Sequence, residues 1–558
     1  MTDQFPAALV GPSSKERKYD RQLRLWAASG QQALEQSRVL LVNSDGFIDG
    51  ENTPIGGVAG VETLKNLVLP GVGGFTIVDP AIVSETDLGI NFFLEESSLG
   101  KSRAQETCNL LKELNPDVDG DFKVEPISDL LQQPDFLSQY KLVVVSGPIK
   151  RSSLDAITSS AEQLGVPLIY VRSVGFYSSF SLQLPTEFPI VETHPDPEST
   201  QDLRLTNPWP ELHAVVSQIA NLEALDDHDH GHVPYILLLL YYLDRWKAEH
   251  DGKAPENYKE KTAFRDLVRS GARTNNAEGG EENFDEAVSA VLKSINPWSL
   301  RSNIREIFDM DQCTNLKTDY DNFWIIASAL KAFYTKHNVL PLPGSLPDMK
   351  AKSADYITLQ NIFKSKARQD VEEVLATVRS IETQLCDRTA PVTEKEVEVF
   401  CKNASHVKVI RGRQIPRIST NANQTLKTIR NGLGNPESKI PTYIAFEALD
   451  VIVDGIQNEK LTPNALDNDD VWNTTIERLL VTIAEGDNSV INAENRESVT
   501  KAAQELRRTV GGELHNISSL TGGLVSQEAL KVLTRQYVPL DNTCIFDGVS
   551  SGSEMFRL

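Results

Sequence analysis

The 558-residue sequence predicts a discontinuous α/β protein: a doubly wound sheet interrupted by a large, mostly helical insertion. Three observations predict it. Short apolar runs alternate with helical periodicity between residues 19 and 184. Prolines then cluster at 185, 189, 195, 197, 208 and 210, and from about 211 to 505 the periodicity is mostly helical. After residue 506 a helix and strand-like pieces return. These shifts place a flexible tail over 1–18, a first α/β part over 19–200, an insertion over 201–505 and a second α/β part over 506–558.

In chain order, 19–35 reads as a helix. Its opening residues, Tyr19-Asp-Arg-Gln-Leu-Arg-Leu-Trp26, put Arg21 and Arg24 on nearly the same face, with Leu23 and Trp26 offering an apolar one. By pattern alone this is an amphipathic helix with solvated arginines. Residues 38–43 form a short apolar run of the kind found in buried parallel strands. A Gly-rich loop covers 44–60, and a helix over about 61–69 stops at Pro70-Gly71. A second strand is expected at 74–79, a helix over about 100–114, further strands at 142–146 and 166–171, and a later, antiparallel one at 176–184. The insertion predicts helices over 235–248, 258–269, 284–292, 322–334, 359–386 and 441–456. The stretch 417–438, rich in Asn, Thr and Gly, reads as a loop or linker. Near the end, 518–533 reads as a small-residue turn leading into a helix, followed by strand-like pieces at 537–540 and 542–546.

Composition narrows the function. Hydrophobic residues make up 40% and charged residues 24%, which fits a soluble globular protein. A net charge of −23 argues against general nucleic-acid binding, which needs a basic footprint. The five cysteines, at 108, 313, 386, 401 and 544, form no C-x-x-C pair, so a reducing compartment, cytoplasmic or nuclear, is expected. No signal peptide is expected at the N-terminus, and the apolar stretch 233–243 is too short to span a bilayer.

The strand, Gly-rich loop, helix and acid-ended strand over 38–79 form a nucleotide-binding pattern on a Rossmann-like scaffold. Asp79 stands where ribose hydroxyls bind. The loop, however, departs from the pattern. A tight G-x-G-x-x-G does not follow Asn43; Gly56, Gly57 and Gly60 come much later, and Asp45, Asp49 and Glu51 would repel a triphosphate. The expectation is a scaffold that binds no nucleotide of its own.

Several motifs together resemble the adenylation (ThiF-type) fold of ubiquitin-like-modifier activating enzymes: 19–26, Leu64-Lys-Asn-Leu-Val-Leu-Pro-Gly-Val-Gly73, Phe75-Thr-Ile-Val-Asp79, Gly100-Lys-Ser-Arg-Ala104 and Gly522-Gly-Leu-Val-Ser-Gln-Glu528. His194-Pro-Asp196, Asp202-Leu-Arg204, 258–266, 282–287, Leu346-Pro-Asp-Met349 and 356–360 are similar to the regulatory subunits of neddylation activating enzymes, so the resemblance covers almost the whole chain. It implies a heterodimer with a catalytic subunit, which holds ATP and Mg²⁺ and acts on a ubiquitin-like modifier. This chain resembles the inactive half. Asn91 stands near where active members carry Arg, and Ser146-Gly147-Pro148 replaces the catalytic Asp. Gly57, Gly60, Asp79 and Lys101 are then vestigial, and no cofactor is expected in the chain's own pocket. The resemblance makes Arg21 functional: it implies an arginine that reaches across the interface to the partner's ATP phosphates. Guanidinium suits this, being always charged and able to grip two oxygens. For Arg24 a structural ion pair is expected.

Two further clusters are weighed. The alternating histidines of 228–232 could ligate zinc, but no fourth ligand follows in pattern, and a structural loop before a helix is the plainer reading. Cys313, Cys386 and Cys401 have no nearby His or basic cluster in sequence to activate a thiolate, and the resemblance puts the nucleophile on the partner. No metal is expected. The alternative function is a self-sufficient nucleotide-binding adenylyltransferase or dehydrogenase-like enzyme. A third is a pure scaffold with Arg21 silent.

Overall fold

The computed structural model describes residues 12–45, 57–218, 222–274, 280–386, 388, 391–419, 423–485 and 492–558. They form two units, one of 1–188 with 410–558 and one of 189–409.

The first unit is built on ten-residue-scale alternation of strand and helix. Its strands are β1 (Arg38–Val42), β2 (Gly74–Val78), β3 (Asp119–Lys123), β4 (Leu142–Gly147), β5 (Leu168–Val174) and β6 (Tyr177–Gln183). Between the units' segments lie β7 (Phe188–Val191) and β8 (Val407–Ile410), which pair with each other, and the C-terminal segment adds β9 (Thr543–Asp547) and β10 (Gly552–Phe556). The main sheet runs β10-β9-β6-β5-β4-β1-β2-β3. β3, β2, β1, β4 and β5 are parallel, and β6, β9 and β10 continue antiparallel. β1, β2 and β4 are buried almost throughout, and their sequences are correspondingly mostly apolar. Chain order reverses direction between β1 and β4, the switch point at whose carboxyl side open α/β sheets bind ligands.

Several expectations need correction. β3 (Asp-Gly-Asp-Phe-Lys) and β10 (Gly-Ser-Glu-Met-Phe) are half-exposed edge strands with little apolar signal, and neither was expected. Residues 537–540 are not a strand: Pro539 lacks a donor and the Leu540 N–H donates to Glu528 Oε2 at 2.7 Å. The small residues at 518–523 are helical, inside His515–Thr534. Residues 14–18 of the tail form a short helix begun by a Ser13–Glu16 capping box. The stretch 417–438 contains the helix Asn423–Leu433, whose Leu426, Ile429 and Leu433 are buried at helical spacing.

The two units divide the chain at different residues from those expected. The expected insertion of 201–505 is divided: 410–505 belongs to the sheet-bearing unit. The reason is packing. Ile440, Tyr443, Phe446 and Leu449 of the helix Ile440–Gln457 share one core with Val174 of β5, Ile545 of β9 and Phe556 of β10. A buried Arg172 on β5 also binds that helix, Nη1 to Asp450 Oδ2 at 2.7 Å and to Glu447 Oε1 at 3.2 Å.

The second unit is helical apart from β7 and β8. Its helices include Tyr235–Glu249, Tyr258–Ser270, Glu282–Ser294, Asn322–His337 and the 33-residue Ser353–Leu385. One core gathers Ile236, Leu239, Phe264 and Phe284; another gathers Ile325, Leu330, Val374 and Phe400.

Candidate functional site

The switch point collects the residues of the expected nucleotide pattern. Asn43 leaves β1, Ser146 sits near the end of β4, and Gly57 opens the helix Val58–Val68 with φ +106°, a backbone only glycine adopts readily. Residues 46–56 of the expected loop, with Gly56, Asp49 and Glu51, lie outside the described residues. Gly57 and Gly60 permit close approach: a Cβ at Gly57 would fall 2.4 Å from the Asn43 side chain, and one at Gly60 falls on the Ser146 hydroxyl.

A helix N-terminus here should offer free N–H donors to phosphate. It does not. The Glu513 carboxylate occupies it, Oε1 accepting from Val58 N and Oε2 from Ala59 N, both at 3.1 Å. Ser518 Oγ also donates to this carboxylate. Burial pushes the Glu513 carboxyl up to about 7, against the opposing pull of Ser518 and the backbone donors at 57–59.

Asp79 is equally engaged. Fully buried at the end of β2, it accepts from Arg103 Nε at 2.7 Å, Arg103 Nη2 at 3.2 Å, Asn43 Nδ2 at 2.8 Å, Ser44 Oγ at 2.7 Å and Ala81 N at 3.0 Å. Burial opposes its charge, but the Arg103 guanidinium prevails and holds its pKa below the ordinary carboxylate value. Arg103 also binds Asp87 through Nη1 at 2.8 Å. No lone pair of Asp79 is left for ribose. Lys101 is exposed, 3.7 Å from Glu106. Asn91 is buried, its Oδ1 accepting from Phe93 N at 3.0 Å. Gly57, Gly60 and Asp79 are thus brought together and Lys101 stays at the surface, while the Val58 and Ala59 N–H groups and the Asp79 carboxylate already have partners within the chain.

Arg21 has the opposite character. Its helix, Asp20–Glu35, is docked on either side of it. Tyr19 is buried and its hydroxyl accepts from Asn115 Nδ2 at 3.0 Å. Trp26, 8% exposed, donates from Nε1 to Gln31 Oε1 at 3.1 Å. The helix is kinked at Trp26 and Ala27, so 19–35 is two helical pieces rather than the single one expected. Leu23 is half-buried, and Tyr19 with Trp26 supplies most of the anchoring. Arg24 pairs with Asp20 at 2.9 Å. Arg21 is exposed and, among the described residues, has no ion-pair partner. Leu25 beside it is 57% exposed.

The sequence has relatives along its whole length. The ThiF family matches residues 19–558. Chains named NEDD8-activating enzyme E1 regulatory subunit are similar throughout: the one from Xenopus laevis is 35% identical over 98% of this chain and 99% of its own, and the one from Drosophila melanogaster is 35% identical over 98% of each. The chain belongs to the ThiF family, among the NEDD8-activating enzyme E1 regulatory subunits. A yeast member, from Saccharomyces cerevisiae, is 24% identical over 97% of this chain.

For this ThiF-family chain the other expected clusters resolve as follows. Cys313 and Cys401 are buried, and burial pushes the Cys313 thiol up to about 11 and that of Cys401 higher still, away from thiolate chemistry. Cys386 is exposed at the end of the helix Ser353–Leu385. His230 is buried, its Nδ1 2.6 Å from Glu281 Oε1, while His228 and His232 stack at 4.3 Å. Among the described residues no group of three or more His, Cys, Asp or Glu is placed to hold a metal. A cavity of about 910 Å³ lies in the second unit, lined by Arg204, Trp298, Arg301 and His406 among others, and contains none of the expected site residues. No described helix is long and apolar enough to cross a membrane.

Sequence reasoning missed Glu513 and Arg103. Arg103 lies two residues after Lys101, and its pairing with Asp79 depends on tertiary geometry. Glu513 follows Gly511-Gly512, a turn signal that marks a close approach without naming its target.

Proposed function

We propose that this chain is the non-catalytic regulatory half of a heterodimeric neddylation activating enzyme. A catalytic subunit binds ATP and Mg²⁺, adenylates the C-terminus of the ubiquitin-like modifier and carries it as a thioester. This chain supports those steps and extends Arg21 to the partner-bound ATP phosphates. It works in the cytoplasm or nucleus, without nucleic acid or membrane. The carrying observation is the contrast within one unit: an exposed, unpaired Arg21 on a docked helix beside a nucleotide pattern whose donors and carboxylate are internally consumed. A guanidinium there would bind β- and γ-phosphate oxygens and stabilise charge on departing pyrophosphate.

The first test is ATP–pyrophosphate exchange by the purified chain without its partner. None is expected above background, and substantial exchange would show a self-sufficient enzyme. For Arg21, the reconstituted heterodimer carrying Arg21→Ala should adenylate the modifier about 10²-fold more slowly, the scale of losing one charged transition-state donor. Co-elution with the catalytic subunit should be unchanged. Wild-type adenylation kinetics in that variant would leave the arginine without a role.

A further inference from the structure

We propose that Glu513 is an internal surrogate for phosphate: its carboxylate fills an intact oxyanion cradle at the N-terminus of the helix Val58–Val68 and keeps that cradle silent. Four observations meet there. The helix is 11 residues long, and its first N–H groups converge on the two carboxylate oxygens, Val58 N on Oε1 and Ala59 N on Oε2 at 3.1 Å each. Gly57 and Gly60 retain the close backbone approach that an anion site needs. The carboxylate arrives from 454 residues away in sequence, from the segment ahead of the helix His515–Thr534, and is buried. Two side chains at the same place, Ser146 and Asn43, are each 3% exposed, and Ser146 Oγ and Asn43 Oδ1 have no hydrogen-bond partner among the described residues.

A buried hydroxyl without a partner is costly, and most buried polar atoms avoid it. Ser146 Oγ lies against Gly60; Asn43 Oδ1, against Gly57, is an acceptor and has nothing to give an anion. The hydroxyl is a donor suited to an oxygen of a tetrahedral anion. A planar carboxylate has two oxygens, and here both are engaged by backbone donors. The Ser146 hydroxyl is therefore a buried donor that Glu513 leaves unused. An inorganic phosphate, with four oxygens, is the ligand class that this donor fits.

The inference rests on this chain's geometry and does not require Arg21 to act in trans, so its failure leaves the Arg21 test untouched. The experiment is hydrogen–deuterium exchange of the full chain, reading peptides that begin at 57–60, with inorganic phosphate as probe and chloride at matched ionic strength as control. In the wild type those amides should be protected and indifferent to phosphate. In Glu513→Ala they should exchange at least about tenfold faster, and millimolar phosphate, but not chloride, should restore protection. Glu513→Gln keeps the cradle filled, so its amides should exchange faster than wild type with no response to phosphate; this variant decides the matter if the alanine variant does not fold. Unchanged exchange in both variants, or phosphate protection in the wild type equal to that in Glu513→Ala, overturns the proposal. So does faster exchange in the alanine variant that phosphate cannot reverse.

Discussion

Glu513 differs from an ordinary surface glutamate in what folding does to its proton. In the unfolded chain its carboxyl titrates near the usual value of 4.5, and in the folded chain burial raises it to about 7. A group whose folded pKa is raised contributes stability that is fully present below its unfolded value and is lost as pH rises through the folded one. Between about pH 4.5 and 7 the wild type should therefore lose stability from this residue, on the order of 3 kcal/mol if the whole shift is expressed. Glu513→Gln, which cannot titrate, should be flatter over the same window. Urea midpoints measured every half pH unit would read it; equal slopes in the two proteins would place the titration elsewhere. Asp79 behaves in the reverse sense. Its pKa lies below the ordinary value, so the stability its ionisation supplies is lost only as pH falls into the acid range. Both residues are acids in a nucleotide pattern, and their partners, backbone N–H in one case and Arg103 in the other, decide their behaviour.

Helix pairing sets the next scale. The helices Val58–Val68 and His515–Thr534 meet at Gly522, where an added Cβ would lie 2.6 Å from the Glu62 Cβ and 2.8 Å from the Thr63 backbone nitrogen. Backbone cannot yield as a flexible side chain does, so Gly522→Ala should force the helices apart and cost about 1–3 kcal/mol. Gly523→Ala is the internal control: nothing lies within 4 Å of its Cβ, and helix propensity should make it neutral or stabilising by up to about 1 kcal/mol. The denaturation midpoint of Gly522→Ala should fall while that of Gly523→Ala holds or rises; a matched gain in both would mean that propensity, not contact, governs the site. The same helix shows what was legible in sequence. Buried strands such as β1 and β4 were legible because burial on both faces leaves an unbroken apolar run. The helix Ile440–Gln457 was legible from its period, but which unit it joins was not, because that depends on Tyr443 and Phe446 meeting β5 and β9. Edge strands β3 and β10 were not legible, since half-exposed strands carry polar residues. Gly522 and Gly523 read as a turn because glycine lowers helix propensity; at Gly522 close packing outweighs that cost. In the site, sequence showed the missing Asp near 146 and the acidic loop. The residues that fill the site, Glu513 and Arg103, come from tertiary contacts that no local pattern encodes.

At the scale of the whole chain, the division of 410–505 from 189–409 makes a prediction that the sequence boundary would have reversed. The ends of the first unit's break lie together: Gly412 N donates to Thr186 O at 3.2 Å, and β7 pairs with β8 just beyond. Closing so short a gap with a few Gly and Ser residues costs little loop entropy. A chain in which a short linker replaces 189–409 should therefore keep the sheet-bearing unit folded, with its core of Tyr443, Phe446, Val174 and Ile545 intact. A chain cut instead from 201 to 505 removes Tyr443, Phe446 and Leu449 and leaves Val174, Ile545 and Phe556 without their packing partners. It also strands Arg172, buried on β5, without Glu447 and Asp450, and an unpaired buried charge costs about 3–5 kcal/mol by itself. The second chain should aggregate or unfold. Circular dichroism and cooperative thermal unfolding of the two purified chains would separate them. If both fold, the helices of 410–505 are dispensable to the sheet; if neither does, the inserted unit is needed for the first to fold, and the two units are not independent.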